Sequence, residues 1–136
     1  MRYTFLQHEE GIKFKAYGET IEEVFLNSAL AMVYVMCEEK VSSTKQIKIK
    51  VKGKDMESLL YNFLEEFLSL LDSQNFIVSK IRDIRIDNKE FKLVAKLSGD
   101  NSKKYKIKQH VNAVAYNDLI IGKENKKMFA QVVLDV

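Results

Sequence analysis

The amino-acid sequence predicts a single-domain α+β protein, with two helices packed on a mostly antiparallel β-sheet. Three observations lead there. Short stretches of period-two alternation occur at residues 12–17 and 47–51, two long helical stripes are interleaved with them, and the second half is a run of strand-like segments. No linker or internal repeat divides the chain, so one domain over 1–136 is expected.

Ile12, Phe14 and Ala16 alternate with Lys13, Lys15 and Tyr17, the pattern of a half-buried strand. Its expected partner is residues 3–6, joined through His8-Glu9-Glu10-Gly11. Thr20, with Glu23 three residues on, forms a capping box that opens a helix over 21–37. The stripe of Ile21, Val24, Phe25, Met32, Val35 and Met36 widens to Leu26, Leu30 and Val33, which predicts that this helix is largely buried toward its end.

Ile47, Ile49 and Val51 alternate with Lys48, Lys50 and Lys52 in a strand that stops at Gly53, and the lysines read as a solvated face. Asp55 then caps the strongest helix, where Met56, Leu59, Leu60, Phe63, Leu64, Phe67, Leu70 and Leu71 recur at three- and four-residue spacing until about Asp72. A hairpin follows, with Ile81, Ile84 and Ile86 on one arm, a turn at Asp87-Asn88, and Phe91, Leu93, Ala95 and Leu97 on the other. Polar breaks at 98–102 and 122–126 set off two last strands, over 105–116 and 128–136. Proline is absent, so the turns rely on Gly, Asn and Asp.

At 136 residues and 46% hydrophobic content the chain can bury a core without disulfides or a structural metal. Its one cysteine, Cys37, lies in a helical apolar pattern and reads as a core residue, which fits a reducing cytoplasm. No targeting segment or apolar run of membrane-spanning length is seen, so a soluble protein is expected. Residues 1–68 hold nine Lys/Arg against eleven Asp/Glu, and residues 69–136 hold thirteen against eight, so the net charge of +3 sits in the second half.

The glycines are isolated and build no phosphate-binding loop. No Gly-x-Ser-x-Gly elbow is present, and His8 and His110 lie far from any nucleophile in sequence. Cys37, His8 and His110 fall short of a zinc ligand set. Oxygen donors are more promising, because Glu9, Glu10, Asp135 and the carboxylate of Val136 are hard ligands of the kind calcium takes. A strand running to the last residue would hold the terminal carboxylate in place. Lys104, Lys106 and Lys108, followed by His110, fall on one face of the expected 105–116 strand, a candidate basic row for RNA phosphates or an acidic protein surface. The pairs Glu22-Glu23, Glu38-Glu39 and Glu65-Glu66 read as exposed polar faces.

Several segments, taken in order, resemble the archease family. They are Ala16-Tyr17-Gly18 with Thr20-Ile21-Glu22-Glu23, then Ala29-Leu30-Ala31-Met32, and Glu57-Ser58-Leu59-Leu60-Tyr61 followed by Phe63-Leu64-Glu65-Glu66-Phe67-Leu68. Ala113-Val114 with Tyr116, and Gln131-Val132-Val133-Leu134-Asp135, complete the likeness. The resemblance implies a non-enzymatic cytoplasmic activator of the tRNA-splicing RNA ligase, promoting ligase guanylylation and multiple turnover in tRNA splicing and RNA repair. It also implies a divalent-metal site, usually calcium, with RNA met only through the ligase.

Two motifs depart from the family. Its His-Thr-Ala-Asp reads His8-Glu9-Glu10-Gly11, so glycine stands where the resemblance places a metal-binding aspartate. Its Lys-Ala-Val-Thr-Tyr-His reads Asn112-Ala113-Val114-Ala115-Tyr116-Asn117. The expected metal ligands are therefore Asp135, the Val136 carboxylate and Glu10, the alternative being a weak or absent metal site beside an intact partner surface. A small RNA-binding module using Lys104, Lys106 and Lys108, and a metal-dependent hydrolase built on Glu10 and Asp135, are the competing functional readings.

Overall fold

Alternation and amphipathic spacing resolve, in a computed structural model describing residues 1–136, into eight strands and two helices. In chain order these are β1 (Tyr3–Leu6), β2 (Ile12–Gly18), α1 (Ile21–Met36), β3 (Lys45–Lys52), α2 (Met56–Gln74), β4 (Phe76–Asp87), β5 (Lys92–Asn101), β6 (Ala113–Val114), β7 (Ile120–Glu124) and β8 (Lys127–Asp135). They form two antiparallel sheets rather than one. The first has the order β1-β2-β8-β6, with β7 also paired to β8, and the second is β3-β5-β4.

Both helices touch strands of both sheets. Their apolar faces and the inner faces of the sheets meet in one core that includes Phe14, Phe25, Met32, Phe63, Phe67, Leu97 and Leu134. Burying each such side chain stabilises the fold by roughly 1.5–3 kcal/mol. Thr20 accepts from the Glu23 amide at 3.1 Å, and Asp55 from the Ser58 amide at 2.7 Å, so both helices start where their capping residues stand. α1 stops at Met36, and α2 runs two residues past Asp72 before Asn75 turns it at φ 51°. Leu26, Leu30 and Val33 are half-buried and Tyr34 is exposed, so the later turns of α1 are less enclosed than their composition predicts. No helix is long and apolar enough to cross a membrane.

Three segments differ from the sequence reading. Phe91 belongs to the β4–β5 turn, at φ 53°, instead of beginning β5. The polar stretch at 122–126 is largely strand: only Asn125 and Lys126, both at positive φ, turn the chain from β7 to β8.

The largest change lies at 105–116, where one strand was expected and only Ala113–Val114 pairs. β5 continues through the supposed break at 98–102, because Gly99, Asp100 and Asn101 pair with β4. A turn of 3-10 helix at Ser102–Lys104 then ends it. The next backbone donors are taken elsewhere: the Lys106 amide donates to Glu39 at 2.8 Å and the Lys108 amide to the Met36 carbonyl at 2.8 Å. Exposure still alternates along 104–110, so the periodicity was real while the ladder was not.

Asp100 pins this region. Its carboxylate is 2% exposed and accepts from Thr44 at 2.6 Å, Tyr105 at 2.7 Å, its neighbour's amide at Asn101 at 2.8 Å, and Lys104 at 3.3 Å. The Thr44 and Tyr105 hydroxyls lead in holding it well below the usual carboxylate range. Folding therefore favours the ionised form, and the stability it adds is complete above the unfolded-state pKa of about 4 and is lost as pH falls below that. Asp100→Asn is expected to lower the thermal midpoint by several degrees at pH 7, with the deficit against wild type shrinking as the pH drops below about 4. Equal midpoints at pH 7 would remove Asp100 from this role.

Candidate functional site

The carboxyl end of β8 lies between the start of β2 and the short strand β6. Ile12 pairs with Leu134 on one side, and Ala113 pairs with Asp135 and Val114 with Leu134 on the other. The Asn112 amide donates to the Asp135 carbonyl at 2.8 Å, and the Ala115 amide to the Val133 carbonyl at 2.9 Å. Val114 donates its amide to Glu65 Oε2 at 2.8 Å, which ties β6 to α2. The strand is thus held to Asp135, while Val136 lies one residue beyond the ladder and is 42% exposed.

Residues 9–11 bend on the opposite side of β8 from β6. Gly11 adopts φ +75°, and a Cβ built on it would sit 2.4 Å from the Leu134 carbonyl oxygen. Glycine is required here twice over, by the left-handed backbone and by the close approach to β8. The two motifs that depart from the family pattern therefore converge: Gly11 packs on Leu134, and Asn112 bonds to Asp135.

Glu10 is exposed in that bend, and Asp135 is exposed at the end of β8. The expected ligands Asp135, Val136 and Glu10 thus belong to one end of one sheet. They do not gather into a metal cluster, since no group of three or more His, Cys, Asp or Glu side chains is arranged to hold an ion. Calcium takes six to eight oxygens, and position 11 contributes no side chain toward that number. Glu10, Asp135 and the Val136 carboxylate offer three anionic groups toward that number.

The lysine row is dispersed. Lys104 pairs with Asp100 at 3.3 Å, and Lys108 pairs with Glu38. The Glu38 carboxylate, hydrogen-bonded by Lys108, is lowered below its usual pKa, and Lys108 is raised by the same interaction. Lys106 is exposed in irregular chain with its amide tied to Glu39. Lys106 and Lys108 fasten the 105–110 segment to the residues just after α1 while Lys104 pairs back to β5, so the three lysines share no strand face.

Sequence reasoning missed Glu65, Glu39 and Asp100, which accept hydrogen bonds from partners in other elements. Glu65 reaches Val114 across 49 residues and Glu39 reaches Lys106 across 67, so no local pattern marked them. It also missed the edge-to-face pair of Tyr61 and Tyr116, 5.1 Å between ring centres, which flanks a groove of about 520 Å³ walled by Lys52, Gly53, Lys54, Ser58 and Asn62. Tyr61 lies one turn before Glu65 on α2, and Glu65 accepts from the Val114 amide of β6.

Two antiparallel sheets around two helices, with a carboxyl-terminal strand paired on both edges, define a small single-domain α+β protein. The comparisons identify the family. Residues 3–136 match the archease protein family (MTH1598/TM1083). The archease of Methanosarcina mazei is 37% identical over 140 residues, covering 99% of this chain and 96% of that protein. The solution structure of Methanobacterium thermoautotrophicum protein 1598 superposes with a TM-score of 0.83 at 28% identity, covering 99% of each chain. A Thermotoga maritima structure described as an archease and possible chaperone has a TM-score of 0.64 at 16% identity over 96% of this chain and 94% of that one, a likeness of fold alone. The chain belongs to the archease family.

The close packing of Gly11 predicts the effect of restoring an aspartate there. Gly11→Asp and Gly11→Ala should both destabilise by roughly 2 kcal/mol in urea denaturation, because the Cβ and not the carboxylate causes the conflict. Wild-type stability in the Asp variant would mean that the 9–11 bend re-forms freely.

Proposed function

We propose that this protein is a non-enzymatic accessory factor that docks on the tRNA-splicing RNA ligase and promotes its guanylylation and multiple turnover. The observation that carries the reading is the terminal Asp135–Val136 pair, presented at the end of a strand fixed on both sides by β2 and β6. A preorganised anionic end costs little conformational entropy on docking, unlike a frayed terminus. Family membership over nearly the whole chain supports the same reading, as does the description of the Thermotoga maritima relative as a possible chaperone.

In this reading the chemistry stays on the ligase. The chain contributes a shaped surface: the Asp135 end, β6, and the groove edged by Tyr116, which is 42% exposed. An exposed aromatic beside fixed polar groups is the usual composition of a binding hot spot. Glu10, Asp135 and the Val136 carboxylate account for what divalent-cation affinity this end has, with too few donors for tight calcium binding by the chain alone.

The test is a ligase assay. Adding the protein to its cognate ligase should raise both the guanylylated fraction and the number of turnovers. Asp135→Ala should cut that stimulation at least about tenfold, the scale expected when one charged group is removed from an interface. Calorimetric titration of the free protein with calcium should give a Kd of about 10⁻⁴ M or weaker. An unchanged ligase in the presence of the wild-type protein overturns the proposal, and a submicromolar calcium Kd that survives Asp135→Ala overturns the donor assignment.

A further inference from the structure

The β3-β5-β4 sheet turns one face to the helices and leaves the other open. Residues paired directly across antiparallel strands share a face. Ile49 with Ala95, and Val51 with Leu93 and Ile86, point inward to the core. The outward positions between them include cations on all three strands. Lys48 pairs with Lys96, and Lys96 with Arg82, giving three cations in one row. The next row holds Lys50, Val94 and Arg85, and the one after it Lys52, Lys92 and Asp87. Every charged residue in these rows is exposed.

This charge is poorly neutralised from within. The one ion pair on the face joins Lys96 to Asp83 at 3.5 Å, with both side chains about 60% exposed. Asp87 instead accepts the Lys89 and Glu90 amides of its own hairpin turn. The contrast with Lys104 and Lys108, each paired to a carboxylate, is direct. Like charges placed directly opposite weaken a ladder, and a surface that served only solubility would interleave the two signs. A sheet face that accepts this cost is suited to a polyanion.

We propose that the open face of the β3-β5-β4 sheet binds the phosphate backbone of double-stranded RNA. Alternate lysines on β3 stand about 7 Å apart along the strand, and the three strands span about 10 Å across, so the cations form a flat grid. The rows carry no aromatic side chain, and Val94 is half-buried, so the base stacking that holds single strands is missing. A B-form major groove admits a helix or a two-stranded ribbon, which a three-stranded sheet exceeds. The wide, shallow minor groove of A-form RNA, bordered by two phosphate strands, accepts a broad flat cationic surface. Val94 is the one apolar side chain in these rows and is half-buried, too little to enter a bilayer.

This inference does not depend on ligase activation, and its test uses the full-length protein without ligase. Fluorescence anisotropy with an RNA duplex of about 16 base pairs, at salt rising from roughly 50 to 200 mM, gives affinity and salt slope together. The wild type should bind, and the variant Lys48→Gln/Arg82→Gln/Lys96→Gln should lose at least about tenfold in affinity and about two to three units of salt slope. Lys104→Gln/Lys108→Gln should change affinity by less than about twofold, since those cations are already paired. Thermal melting of the triple variant should show a midpoint equal to or above wild type, because like-charge repulsion is relieved. Absence of wild-type binding at about 50 mM salt, or wild-type affinity in the triple variant, overturns the proposal. So does binding of single-stranded RNA or phosphatidylserine vesicles as tight as that of the duplex.

Discussion

The two-sided pairing of β8 is the constraint on which the rest of the first sheet depends. Residues 128–134 pair with β2 on one edge, while β7 and β6 share the other edge in turn. Ala130, Val132 and Leu134 carry the strand's buried face into the core against α1. Until this last segment is in place, β1-β2 has no inner neighbour and β6 has no partner. Closing a pairing between residues 12 and 134 also costs loop entropy before any stabilising interaction forms, so the sheet forms cooperatively or not at all.

That constraint also shapes the candidate site. Because β2 and β6 clasp the same strand, the bend at 9–11 and the segment at 112–116 are brought to Asp135 from opposite sides. The close approach of Gly11 to Leu134 leaves no room for a side chain there, so the polar end is compact and short of ligands. The second sheet follows a different rule: its inner face is closed by the helices and its outer face carries cations that are only partly neutralised. The two ends of the charge distribution thus lie on different sheets, the anionic terminus on one and the basic grid on the other.

Much of this was legible in the sequence. The helical stripes placed α1 and α2 within two residues of their ends, and alternation placed β2 and β3, because each pattern reports which face of an element is buried. What alternation cannot report is the hydrogen-bonding partner. Residues 104–110 alternate in exposure yet send their amides to Glu39 and Met36, and the polar residues of β7 concealed a two-residue turn at Asn125-Lys126. The role of Glu65 was invisible because its donor, Val114, lies 49 residues away, and that of Asp100 because the Thr44 hydroxyl reaches it across 56 residues. The basic grid was half-visible: Lys48, Lys50 and Lys52 stood out as a row, but the cations of β4 and β5 joined them only through register. At the terminus the sequence marked Asp135 and Gly11 as parts of one end, and the backbone at Gly11 then showed why no carboxylate fits there.

The rigidity of the β8 end is best read by amide hydrogen exchange. If the terminus is held through Asp135, the Asn112 and Ala115 amides, bonded to the Asp135 and Val133 carbonyls, exchange slowly, and the Val136 amide exchanges at an open-chain rate. Removing Asp135 and Val136 should then release Asn112 while leaving Ala115 protected. Open-chain exchange at Asn112 in the intact protein, unaltered by the truncation, would show a frayed end and contradict the fixed terminus on which the docking surface rests.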